Sequence, residues 1–247
     1  MNMESTLHDE HTDSGRTHDH TGDERGTHPA GAIEHGHNDV VCGKNCTEWV
    51  KSWMTWMLTQ PVENSPFLLQ YNNPSAFEVD ESQVENESDE EGNSIWFLAG
   101  PPYGSREAGT FSKWVVLPPN RKWHILASPF TSYISKEEYP SIPTDGLYSR
   151  AKKDVDSVYK LEATLDGLNL AGCRVPIDKP FPIEDVPQKN VLGLSPHELK
   201  ECKGIVKMCS DGYVFWLKPL PPGLHLLHLL AYSPTYEFDV KFQLNVR

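Results

Sequence analysis

The stretch that most constrains this chain is its last thirty-seven residues, DGYVFWLKPLPPGLHLLHLLAYSPTYEFDVKFQLNVR at 211–247. Residues 238–246 alternate strictly: Phe238, Val240, Phe242, Leu244 and Val246 on one side, Asp239, Lys241, Gln243 and Asn245 on the other. A period of two with one apolar face is a half-buried strand lying on a hydrophobic core. Upstream, apolar runs at 214–217 and 224–232 are punctuated by Asp211-Gly212 and by Pro221-Pro222-Gly223. Such punctuation predicts antiparallel strands joined by tight turns. The fold class that follows is mostly β, an antiparallel sandwich of jelly-roll-like or Ig-like type.

Charge divides the chain. Residues 1–46 carry nine acids and three bases, and 77–93 carry eight acids and no base. These segments hold −6 and −8 of a net charge of −13, so the remainder is close to neutral. Acidic stretches poor in large apolar groups cannot bury enough surface to offset chain entropy. They predict a disordered His-rich arm at 1–45, a single sandwich domain at 46–247, and a mobile acidic loop at 78–93. Without a concentrated basic face, nucleic acid is an unsuitable partner. No apolar run approaches the eighteen residues of a membrane span. The first twenty residues lack a basic and an apolar signal region, so the expected compartment is the cytoplasm and the five cysteines are expected to be reduced. Cys202 and Cys209 would bridge only in an exported protein.

Between arm and loop, NCTEWVKSWMTWMLTQP predicts an amphipathic helix. Asn45 and Glu48 have the spacing of a capping box, and Pro61 ends the segment. Trp49, Trp53 and Trp56, recurring with Met54 and Met57, fit a core-packing face better than a sugar-stacking one. Strands are expected at 94–99, 113–118 and 122–128, the last two as a hairpin across Pro119-Asn120. A second helix is expected with Thr144 as its N-cap and with Leu147, Ala151, Val155 and Val158 as its apolar stripe. Residues 160–166 should turn at Asp166-Gly167 into a hairpin, and 203–209 should lead into a turn at Asp211-Gly212.

Seven of eleven histidines lie in the arm. His18 and His20, and His35 and His37, are close-spaced imidazole pairs, with Cys42 and Cys46 a few residues further on. Neutral imidazoles and thiolates at these spacings suit Zn, Ni or Cu in a loose chelate. A solvated tail without a specific role is the competing reading. His225 and His228, three apart on a strand, fall on opposite faces and cannot share one metal. A cupin-like centre of His124, His225 and a carboxylate such as Glu162 is the enzymatic alternative; histidines hydrogen-bonded at a sheet margin are the plainer one. The loop GPPYGSREAG lacks a phosphate-loop ending and a nucleophile elbow, so it reads as turn chemistry. Cys173 has no assignable base and reads as an incidental thiol.

At IWFLAG (95–100) and DGYVFWLKPLPPGLHLLH (211–228) the chain resembles a family of uncharacterised prokaryotic proteins. Its members share a Trp-rich first helix ending near a proline, a WFLAG-like strand and a DGYW…L.PL.PG.H..H-like ending. TEWVKSWMTWMLTQPVENSPF matches the first element, and the resemblance spans roughly residues 46–247. It implies a β-sandwich core and no agreed activity, with many members exported. The function expected from all of this is a non-enzymatic binding or interaction protein for an unknown protein or small ligand. It requires no cofactor, and its arm chelates divalent transition metal weakly. A metal-dependent enzyme with a pocket near His124 and His225 is the alternative, and an exported structural protein stiffened by disulfides a third class.

Overall fold

The computed structural model describes residues 35–36, 38–65, 92–100, 111–119 and 121–247. The arm before His35, the acidic loop up to residue 91 and the loop 101–110 lie outside the described residues. The described chain is a β-sandwich-like fold of two mixed five-stranded sheets with three short helices.

The first sheet contains β1 (Asn93–Leu98), β3 (Lys122–Ser135), β8 (Val206–Leu217) and β6 (Cys173–Arg174), in that order; β7 (Ile177–Ile183) also pairs with β8. β1 and β3 run parallel, and β8 is antiparallel to β3, β6 and β7. The second sheet runs β2 (Phe111–Leu117), β10 (Glu237–Val246), β9 (Gly223–Tyr232), β4 (Lys160–Leu165), β5 (Leu168–Asn169). Here β2 and β10 are parallel and the other pairs antiparallel.

Burial explains why the two sheets read so differently in sequence. On β1, Ile95 and Phe97 pack with helix α1 (Cys46–Leu58), while Trp96 and Leu98 pack with the second sheet. The first sheet is thus covered on both faces, and its strands are continuous apolar runs. The second sheet contributes one face to the core: Leu227, Leu229, Val240, Phe242 and Leu244 are buried, and the alternation of β10 follows. The order of layers is helix, sheet, sheet.

Helix α1 forms as its sequence dictates. Asn45 Oδ1 accepts from Glu48 N at 3.0 Å, and Glu48 Oε2 accepts from Asn45 N at 2.8 Å. Trp49, Trp53, Met54, Trp56 and Met57 are all buried. Helix α2 (Leu147–Asp156) buries Leu147, Ala151 and Val155 as expected, but Thr144 does not cap it. Thr144 begins a 3₁₀ turn that leads directly into the helix, with no side-chain hydrogen bond at either start. A third helix, α3 (Pro196–Glu201), has its own capping box, Ser195 with Glu198.

Three expected turns are corrected. β2 and β3 do not form a hairpin across Pro119-Asn120, because each belongs to a different sheet. The Pro-Pro-Gly connection likewise carries the chain from β8 in the first sheet to β9 in the second. Asp211-Gly212 is no turn either: β8 passes straight through it. The Asp166-Gly167 turn is present, with φ of 52° and 82°, joining β4 to the very short β5.

Candidate functional site at the arm–sandwich junction

The described part of the arm is docked on the sandwich. Trp49 Nε1 donates to Val41 O at 2.8 Å, Val41 is buried, and Lys44 Nζ stands 4.5 Å over the Trp49 ring. Further up, His35 N donates to Trp216 O at 3.0 Å, and the His35 ring meets the Trp216 indole edge-on at 5.4 Å. These contacts hold the His35 imidazole at 8% side-chain exposure. His124 comes from β3, where pairing with β1 sets it opposite Ile95, two strand positions along from Asn93.

The two histidines face one another. His35 Nε2 lies 2.7 Å from His124 Nδ1, with ring centroids 4.9 Å apart. Each second nitrogen is also engaged: His35 Nδ1 lies 3.3 Å from Asp39 Oδ2, and His124 Nε2 lies 3.2 Å from the Asn93 amide. The result is a four-residue chain, Asp39–His35–His124–Asn93. His124 Nε2–H donates to Asn93 Oδ1, which leaves His124 Nδ1 to accept from His35 Nε2–H. The contact of His35 Nδ1 with Asp39 Oδ2 then becomes a hydrogen bond when His35 carries its second proton.

Burial nevertheless favours the neutral form of His35. Burial lowers the His35 pKa most; the Asp39 hydrogen bond opposes this, and the charge of Lys218 adds to the lowering. Asp39 itself is held below the usual carboxylate range, first by the Gly36 N–H at 3.0 Å and then by His35. Neutral imidazoles are the form that binds transition metal. A tetrahedral ion about 2.0–2.1 Å from each nitrogen sets those nitrogens roughly 3.3–3.4 Å apart at an angle of about 109°, so this nearly head-on pair has to open by less than 1 Å and its rings have to tilt.

Of the expected metal ligands, His35 meets His124, and Cys42 Sγ donates at 3.4 Å to the backbone oxygen of Asn93, whose side chain meets the same His124. Cys46 faces away, toward Cys173 at 4.0 Å. His18, His20 and His37 lie outside the described residues. Among the described residues no three His, Cys, Asp or Glu side chains gather as a group that could hold a metal ion. The cupin-like trio is not assembled. His124 is in the first sheet and bonded to His35, whereas His225 and Glu162 belong to strands of the second. His225 pairs with Asp166 at 2.7 Å, and His228 pairs with Asp239 at 2.7 Å.

Two further clusters were not singled out from the sequence. Arg174 grips Asp211 through Nη2 at 2.6 Å and Nε at 3.0 Å, and reaches Asp156 through Nη1 at 2.7 Å. Lys113 is buried on β2, donates to Ala99 O and lies 5.4 Å from the Phe242 ring centre. Burial pushes its ammonium well below the usual lysine range. The signal was legible, since Lys113, Val115 and Leu117 share one face of an alternating strand.

No protein-family model and no curated protein matches the chain. Among solved structures it is similar to PbICP-C in complex with falcipain-2, at 12% identity over 62% of this chain and 98% of that one, with a TM-score of 0.22. It is also similar to the solution structure of amebosin, at 10% identity over 56% and 96%, with a TM-score of 0.19. Likeness at this level carries no argument about fold or activity. No helix among the described residues is long and apolar enough to cross a membrane.

Proposed function

We propose that the protein is a non-enzymatic binding protein, one sandwich unit carrying a His-rich arm, that takes divalent transition metal where arm and sandwich meet. The observation that supports this is the 2.7 Å approach of His35 Nε2 to His124 Nδ1, each ring oriented by a partner on its other nitrogen. An oriented pair of imidazoles is half of a tetrahedral site, and Asp39 and Asn93 orient the rings from their other nitrogens. The arm histidines His18, His20 and His37 and the thiol of Cys42 are the ligands available to complete it. Affinity is expected to be modest.

The test is calorimetry with Zn²⁺ and with Ni²⁺ on the full chain, on a chain lacking residues 1–34, and on His35→Asn and His124→Asn variants. Each variant is expected to lose roughly tenfold or more in affinity, since each removes a ligand or its oriented partner. Binding weakens with acid as the imidazoles protonate. Because burial lowers the His35 pKa, the junction keeps metal to a lower pH than free arm histidines with values near 6.5. Undiminished affinity in both histidine variants would put the metal elsewhere, and no heat from the full chain would dismiss the reading.

A further inference from the structure

We propose that Cys46 and Cys173 form a reversible disulfide that ties the first turn of α1 to the edge strand β6, making this pair a thiol–disulfide exchange site. Their sulfurs already touch, at 4.0 Å, although 127 positions separate them in the chain. Cys46 is the first residue of α1 and is buried; Cys173 opens β6 and is half-buried. Both pack into the same apolar cluster under the first sheet. The other three thiols each sit against a backbone carbonyl: Cys42 on Asn93, Cys202 on Leu199, Cys209 on Asp178. All five are thiols in this structure.

Closing the gap to the roughly 2.05 Å of an S–S bond asks each sulfur to travel about 1 Å. A rotation of roughly 35° about each χ1 moves a sulfur that far. The chemistry runs from the accessible partner inward. The Cys173 thiolate attacks a low-molecular-weight disulfide such as oxidised glutathione, an S–S bond forms, and one glutathione thiolate leaves. Cys46 then loses its proton to water and attacks the Cys173 sulfur, and the second glutathione thiolate leaves. Two protein thiols are oxidised, one glutathione disulfide is reduced to two thiols, and the electrons balance. In the dithiol, contact with Cys173 and then burial raise the Cys46 thiol pKa; burial persists once Cys173 carries glutathione, so the second step quickens with rising pH.

The bond closes a long loop in the unfolded chain, which is where a disulfide acts most strongly. It also fixes the residue next to Arg174, whose strand position is held by pairing with Tyr213 on β8. The test equilibrates the full chain with oxidised and with reduced glutathione at pH 8, then maps peptides by mass spectrometry and records thermal melting. A Cys46–Cys173 cross-linked peptide lacking two hydrogens is expected, with a melting temperature roughly 5–15 °C higher than in the reduced form. Cys46→Ala and Cys173→Ala should each lose the redox-dependent shift, while Cys202→Ala keeps it. Should an alanine variant fail to fold, peptide mapping of the unaltered chain still decides. A folded, oxidised chain whose cross-link joins Cys42 to Cys46, or that acquires no intramolecular cross-link, overturns the proposal.

Discussion

Asp211 is fully buried on β8, and an ionised carboxylate there needs its charge answered on the spot. Arg174 answers it with a bidentate contact, and Gly212 N adds a hydrogen bond at 2.9 Å. The neighbouring glycine has a separate reason to be one. A Cβ at residue 212 would come within 2.6 Å of Thr131 Oγ1 and 2.9 Å of Phe130 O, at the point where β3 bulges against β8. From sequence alone Asp-Gly means a turn, because that pair supplies turn conformations most cheaply. Here the same two residues meet a tertiary demand, an arginine on another strand and a backbone too close for any side chain, and neither is visible along the chain. Removing Arg174 therefore leaves an uncompensated buried charge. Arg174→Leu is expected to lower stability by about 3–5 kcal/mol at pH 7, read by urea unfolding. Adding Asp211→Asn should recover part of that loss, and a double variant as unstable as the sum of the singles would disprove the coupling.

His35 supplies a second prediction at this scale. Its folded-state pKa lies below the 6.5 of an unfolded histidine, mainly through burial. Between those two values the unfolded chain binds the extra proton, so stability increases with pH through that window. The contribution is complete above about 6.5 and is lost as pH falls through the lower folded value. A His35→Gln variant should flatten this part of the stability-against-pH curve without altering its slope above pH 7.

Elements with local logic are the ones the sequence displays. Helix α1 carries its start in Asn45 and Glu48 and its buried face in Trp49, Trp53 and Trp56, so cap and stripe both follow from residues within one turn of each other. Strand β10 is legible for the same reason, its facing pattern being written every second residue. α2 was legible in its stripe and not in its cap, because a 3₁₀ turn took the place of the Thr144 hydroxyl. The junction site was half legible. From sequence His35 and His124 belong to two separate candidate sites, and only the docking of Val41 and His35 on Trp49 and Trp216 brings them together. For α1 the energetic consequence is direct. Trp53 is 4% exposed and its Nε1 donates to Leu98 O at 3.1 Å. Trp53→Ala should cost about 3–5 kcal/mol in denaturant unfolding; a loss below about 1 kcal/mol would mean that the indole does not pack as described.

At the scale of the whole molecule, the connections rather than the strands escaped the sequence. Parallel pairing of β1 with β3, and of β2 with β10, joins segments that no short turn can link, and no local signal specifies it. Pro119-Asn120 and Pro221-Pro222-Gly223 looked like hairpin corners, yet both send the chain across to the opposite sheet. One consequence is that the C-terminal strand is internal to its sheet. β10 pairs over seven positions with β2 on one side and over ten with β9 on the other. Phe238, Val240, Phe242 and Leu244 come from it into the inter-sheet core. Deleting residues 237–247 would strip β2 of its partner in the second sheet and expose the facing side chains of β1, β3 and β8. A cooperative fold cannot survive loss of so much buried apolar surface. The truncated chain is expected to lose its near-ultraviolet circular dichroism and its sharp thermal transition. A chain lacking residues 1–34 should keep both, because Val41, His35 and the whole of α1 remain to cover the outer face of the first sheet. A C-terminal truncation that still melts cooperatively would show that β2 and β9 can close the second sheet without β10.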